Sequence, residues 1–227
     1  MSTTRTMKVI RGKRIRVTRL ENCGEVPAQG DPCAYVVSKG FVEVTMSPQS
    51  EEGEEITLFN ANGELEVNDQ SRHNFKRWNL SIELIDVDPE LVSLLTKVTL
   101  ETDAQGNVVG FRSVEGRIDE EFAFELWSGI ADQDCVDGEE YGYFLMPFVA
   151  GGIFDDLTFE NGTVTMTIQN AFTKTGGLWG VGPYAVVPDE YGDAAPLSTA
   201  IQKGEHHVQR TTTIAPPAPT VGCQPAL

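Results

Sequence analysis

The chain has 227 residues, 40% of them hydrophobic and 22% charged, the composition of a folded domain and not of a disordered one. That length buries a core without help from disulfides or metals, and no apolar run approaches the ~20 residues of a membrane helix. Seventeen basic against 34 acidic residues leave a net charge of −17, which excludes high-affinity nucleic-acid binding by the body of the chain, since that needs clustered Lys and Arg.

The charge is unevenly placed. Arg5, Lys8, Arg11, Lys13, Arg14, Arg16 and Arg19 all precede the first acid, Glu21, so a leader of +7 sits on a remainder of −24. Opposite patches steer association, and the leader of one copy is expected to dock on the body of the next. Met1 to Val17 contains no apolar h-region, so a secretory signal is not expected. A reducing compartment follows, with Cys23, Cys33, Cys135 and Cys223 as free thiols. Cys23 and Cys33 bracket a Gly- and Pro-bearing loop, and whether they pair stays open.

In chain order, Ile15 and Val17 alternate with Arg14, Arg16 and Thr18. Val42, Val44 and Met46 alternate with Phe41, Glu43 and Thr45. Leu80, Ile82 and Leu84 alternate with Ser81, Glu83 and Ile85. Further on, Phe122, Phe124 and Leu126 alternate with Ala123, Glu125 and Trp127, and Val164, Met166 and Ile168 with Thr165, Thr167 and Gln169. Each run predicts an antiparallel strand with one core face and one polar face. Turn signals separate them: Ser38-Lys39-Gly40, Asn60 to Gly63, Asp103 to Asn107, Asp137-Gly138 and Glu160-Asn161-Gly162. The third makes residues 98–109 a hairpin. One helix is signalled over 88–96, with Asp88 as cap, Pro89 at the first position, Glu90 favoured by the dipole and Leu91, Leu94 and Leu95 as its apolar stripe. Too short to stand alone, it must pack on the sheets.

These elements predict an all-β protein: an antiparallel β-sandwich or barrel with one short flanking α-helix and extended N- and C-terminal arms. The expected divisions are a basic arm at 1–13, a sandwich domain at 14–203 and a Thr- and Pro-rich arm at 204–227. Residues 47–75, with Glu51, Glu52, Glu54 and Glu55, form a long excursion, and excursions of that length are usually functional. The C-terminal arm alone reads as a disordered tail, for which a neighbouring copy is the natural ordering partner.

The chemistry-bearing residues assemble no catalytic signature. His73, His206 and His207 read as solvated, and adjacent histidines on a strand point to opposite faces. Asp132 to Gly138 falls short of a calcium loop, because Val136 occupies a ligand position and the glycine comes one place late. Glu83 and Glu125 lie on polar strand faces, with nothing to mark either as the desolvated acid of a glycosidase pair. No enzyme activity, metal or cofactor is expected.

Taken in order, three blocks resemble the major tail protein of long-tailed bacteriophages, the tail tube subunit, of the kind found in phages of actinobacteria. The first runs from Arg11-Gly12-Lys13-Arg14-Ile15-Arg16-Val17-Thr18 through Gly40-Phe41-Val42-Glu43-Val44-Thr45-Met46 to Glu51-Glu52-Gly53-Glu54-Glu55-Ile56. The second joins Lys76-Arg77-Trp78-Asn79-Leu80-Ser81-Ile82-Glu83 to Val87-Asp88-Pro89-Glu90-Leu91. The third pairs Phe122-Ala123-Phe124-Glu125-Leu126-Trp127-Ser128 with Gly142-Tyr143-Phe144-Leu145-Met146-Pro147. The similarity covers about residues 8–185, and 186–227 has no counterpart in the family pattern. It implies six copies to a ring, rings stacked into a hollow tube in the virion tail, assembly in the host cytoplasm, and double-stranded DNA passing through. It further implies tape-measure, tail terminator and tail-tip proteins as partners, and no membrane.

On this reading Arg5, Lys8, Arg11, Lys13, Arg14 and Arg16 meet Glu51, Glu52, Glu54 and Glu55 of a neighbour. The lumen is lined by Glu43, Glu83, Glu125, Thr165 and Thr167. A basic wall would hold DNA at every ring, whereas an acidic one repels it over about 8 Å at physiological salt. The alternative is a carbohydrate-binding surface sandwich that presents Trp127, Trp179 and Tyr184 to solvent.

Overall fold

The alternating segments pair into one nine-stranded antiparallel sheet in the computed structural model, which describes residues 8–131, 139–159 and 164–227. The strands are β1 (Val9–Arg19), β2 (Tyr35–Ser38), β3 (Phe41–Glu51), β4 (Glu55–Phe59), β5 (Leu65–Gln70), β6 (Asn74–Leu84), β7 (Val98–Thr102) and β8 (Val108–Ser113). They continue with β9 (Glu121–Ile130), β10 (Tyr141–Ala150), β11 (Ile153–Phe159), β12 (Val164–Thr173), β13 (Val187–Pro188), β14 (Ala194–Ala195) and β15 (Val208–Thr212). The large sheet runs β2-β1-β9-β10-β12-β6-β3, with β11 on β12 and β15 on β10; β4–β5, β7–β8 and β13–β14 are separate pairs. The protein is all-β, with one short helix, α1 (Pro89–Leu95).

Where one face was expected in the core, the centre of the sheet has both faces covered. On the first face Ile15, Val17, Leu80, Ile82, Leu84, Phe122, Phe124 and Ile168 pack with Leu91, Val92, Leu94 and Leu95 of α1. On the other, Trp127, Tyr143, Leu145 and Phe148 lie under Trp179, Tyr184, Val186, Val187 and Leu197. Each large apolar side chain so buried stabilises by roughly 1.5–3 kcal/mol. Ala123, Glu125 and Trp127, read as an outward face, are therefore interior, as are Arg16 and Thr18. The cause is a second layer, residues 178–201, whose apolar positions follow no strand or helix period.

A second correction comes from a bulge. The β3–β6 register shifts between Phe41 and Glu43, which puts Phe41 on the same side as Val44 and Met46 against the first core. Val42 is turned out, 54% exposed, because one inserted residue reverses every following side chain.

The helix forms as its sequence dictates. Asp88 accepts from the backbone N–H groups of Glu90 and Leu91, Pro89 fills the first position, and Thr96 closes the end by donating to Val92. Hairpin turns follow one device. Asn60 Oδ1 accepts from the N–H of Asn62 and Glu64, and Asp103 Oδ1 from Gln105 and Asn107. Gly63 and Gly106 take the positive φ that each turn requires. Asp103 is held below the usual carboxylate range by Asn107, first through its side chain and then its backbone.

The C-terminal segment is not a free tail. β15 pairs with β10, and a strap follows it to the outer edge of β2. There Gln224 exchanges hydrogen bonds with Ala34 and Tyr35, Thr220 donates to Val37, and Ala226 donates to Asp31. Cys33 and Cys223 form a disulfide across 190 residues of sequence with Cα atoms 5.0 Å apart. Four free thiols were expected; two are bonded, Cys23 is free and exposed, and Cys135 lies outside the described residues. The partner that orders this segment is its own chain, where a neighbouring copy was expected.

Candidate functional site

Three surfaces and one buried cluster gather the polar residues singled out in the sequence. The first is the arm. β3 and β6 pair beyond the core to Glu51 opposite Asn74, and β4 and β5 extend the pairing to Glu55 opposite Gln70. Gly53 makes the join, because a Cβ there would lie 1.9 Å from the carbonyl oxygen of Ser71. From Pro48 to Asn60 the contour reaches about 40 Å at ~3.3 Å per residue. Every residue of β4 and β5 is exposed.

Register then sorts its two faces. Leu58 stands opposite Val67 and Ile56 opposite Asp69, so Ile56, Leu58, Val67 and Asp69 share one side as far as a bulge, beyond which Phe59 stands opposite Leu65. The five apolar side chains Ile56, Leu58, Phe59, Leu65 and Val67 are 40–64% exposed. Glu55, Thr57, Asn68 and Gln70 take the other side. Glu51 pairs with Lys76 at 3.0 Å, and Glu52, Glu54 and Glu55 are exposed. An isolated two-stranded ribbon is marginal in water, and this one exposes five large apolar side chains to solvent.

The second surface is the outward face of β3, β6 and β12. Glu43 stands opposite Glu83, and Glu83 opposite Thr167; Thr45 faces Ser81, and Ser47 faces Asn79. Thr165 and Gln169 continue the face along β12. Four of the five residues expected at a lumen thus share one sheet face of carboxylates, hydroxyls and amides, to which Arg77, opposite Gln49 and against the Phe172 ring, adds a cation. Cross-strand like charges such as Glu43 and Glu83 destabilise a sheet.

Glu125 departs from that group. It is fully buried and receives both Arg16 Nε and Nη2, at 2.6 and 2.7 Å, and the Tyr143 hydroxyl at 2.7 Å. The Arg16 guanidinium lies 3.4 Å from the Tyr184 ring centre and 5.0 Å from that of Trp127. Burial pushes the Tyr143 and Tyr184 hydroxyls up. Arg16 is desolvated too, yet Glu125 carries its pKa above the ordinary value. Glu125 lines no open surface and Arg16 cannot reach a neighbour, contrary to expectation, because residues 178–201 roof this face. The same roof overturns the aromatic platform, since Trp127, Trp179 and Tyr184 are 1–4% exposed.

The third surface is the leader. Arg5 lies outside the described residues. Lys8 precedes β1, and Val9 to Lys13 are exposed although paired to β9. Arg11 takes a positive φ of 40° at an irregularity in that pairing. Lys13 Nζ stands 3.7 Å from Glu139 and 4.7 Å from the Tyr141 ring centre, and Arg14 donates to the Lys13 carbonyl. Tyr141 also donates to Glu139, and its hydroxyl is pushed up to about 12 by burial and then by that carboxylate.

His206 and His207 are packed where solvation was expected. His206 shares a 2.7 Å hydrogen bond with Thr173 and stands edge-on to Phe75; His207 lies against Trp78 and Phe144. Among the described residues no group of three or more His, Cys, Asp and Glu could hold a metal ion, and the calcium-loop candidate at 132–138 lies outside them. No protein-family model matches the chain, and no curated protein does.

Proposed function

We propose that this protein is the subunit of a self-assembling tube, the role its sequence resemblance to the major tail proteins of long-tailed phages implies. The carrying observation is the arm: a projecting ribbon whose five apolar side chains are 40–64% exposed among the described residues. A second copy is the occupant that makes such a ribbon worth exposing, because a heterologous contact repeated around an axis closes a ring and repeated along it builds a tube.

The sheet face of Glu43, Glu83, Thr165 and Thr167 supplies the lumen. Its opposed carboxylates would not hold passing DNA, and Arg77, further along the same face, lies against the Phe172 ring. The opposed Glu43 and Glu83 weaken the isolated chain, which is the kind of local cost that functional surfaces carry. Rings of six, the tape-measure, terminator and tail-tip partners, and a virion location complete the proposal. No helix among the described residues is long and apolar enough to cross a membrane.

Negative-stain microscopy of the purified chain at rising concentration tests it. Annuli or stacked tubes with a stain-filled bore are expected. Folded monomers that persist at millimolar concentration would overturn it.

A further inference from the structure

The C-terminal strap is tied to the body in an unusual way. None of residues 213–227 is buried, and Val221 is 98% exposed. Its attachment is therefore almost entirely polar. Backbone bonds run to Asp31, Ala34, Tyr35 and Val37, and the N–H groups of Gly222 and Cys223 donate to Asp88 and Glu90 of the helix cap, at 3.0 and 2.7 Å. One covalent bond, Cys33–Cys223, secures the rest. What the strap covers is the outer edge of β2, the terminal strand of the large sheet, and an open strand edge is a template for another chain.

The connection to β15 is short for its task. From Thr212 to Thr220 the chain spans eight residues, about 25 Å in the extended form that Pro216, Pro217 and Pro219 favour. Between β15 and the strap lie β10, β9, β1 and β2, five spacings of ~4.8 Å, or about 24 Å along the sheet. A hinge with so little slack invites exchange between copies, because the same strap contacts form on the β2 edge of a neighbour.

We propose that the strap is an exchangeable edge cap: with Cys33 and Cys223 reduced, residues 220–226 of one copy pair with β2 of a second, and oxidation then links the two chains. The exchange itself breaks and forms only hydrogen bonds. Linking removes two protons and two electrons from the Cys33 thiol of one copy and the Cys223 thiol of the other. A disulfide oxidant such as oxidised glutathione accepts them and leaves as two thiols. This inference rests on the strap and the β2 edge, and holds whether or not the chain builds a tube.

The test removes each chain's ability to close its own bond. In a Cys23→Ser, Cys135→Ser background, a tagged copy carrying Cys33→Ser is mixed with an untagged copy carrying Cys223→Ser in a glutathione buffer. Covalent heterodimer on a non-reducing gel is expected at least tenfold above a control in which both copies carry Cys33→Ser. A yield equal to the control overturns exchange. On the unaltered chain, hydrogen exchange at the amides of Tyr35 and Val37 is expected to quicken at least tenfold on adding a dithiol, while Val17 stays protected. Unchanged protection at Tyr35 and Val37 overturns the release on which exchange depends.

Discussion

Glu125 is where the sequence misleads most and the structure can be tested most sharply. Its position in Phe122 to Trp127 reads as the polar side of an amphipathic strand, yet the side chain is fully buried with Arg16 and Tyr143 as its partners. Removing one member of a buried pair strands the other, at a cost of about 3–5 kcal/mol. Glu125→Ala is therefore expected to lose that much in urea unfolding, while the joint replacement Arg16→Met with Glu125→Leu loses far less. A loss under 1 kcal/mol in the single variant would mean that the cluster does not hold the second core. The histidines set a pH dependence. Burial holds His206 and His207 below their ordinary value, so near pH 6.5 the unfolded chain takes up protons that the folded chain refuses. Their contribution to stability is present above pH 6.5 and lost as pH falls through the folded values. The urea midpoint should drop between pH 7.5 and 5.5, and drop less in His207→Leu; equal drops would remove His207 from the explanation.

Elements with a local signal were legible. Asp88-Pro89-Glu90 announces α1 because cap, first position and dipole are all local chemistry, and Asn60 to Gly63 announces the arm's turn because one side chain closes it. The long excursion was visible as an acidic stretch holding Ile56, Leu58, Phe59, Leu65 and Val67, but their exposure was not, since it depends on what packs over the ribbon. Leu58 and Val67 face each other, half exposed, and support no core. Replacing both by Asp should shift stability by no more than about 0.5 kcal/mol each, as exposed substitutions do, yet abolish rings and tubes. Thermal unfolding and light scattering on the same sample separate the two effects. Assembly that survives both aspartates would move the contact away from the arm.

At the scale of the whole molecule, what the sequence hid is what distance hides. The second core draws Trp179, Tyr184, Val186 and Leu197 from a segment without regular pattern, and the Cys33–Cys223 pairing spans 190 residues with no local mark. Charge, by contrast, is fully legible, and it sets two long-range forces against each other in assembly. Copies at −17 repel one another, while a leader of +7 attracts an acidic body. The structure tilts that balance: Arg16 is inside the protein and Lys13 already stands near Glu139, so fewer cations remain for a neighbour. The screening length falls from about 30 Å at 0.01 M salt to about 8 Å at 0.15 M, which removes most of the repulsion between approaching copies. The exposed apolar side chains of the arm work at contact and do not weaken with screening. Raising sodium chloride from 10 to 150 mM should therefore speed assembly several-fold, read as the initial slope of light scattering at fixed protein concentration. Were the leader's attraction the dominant force, the same step would slow it; a fall in rate would return the contact to the basic leader and take it from the arm.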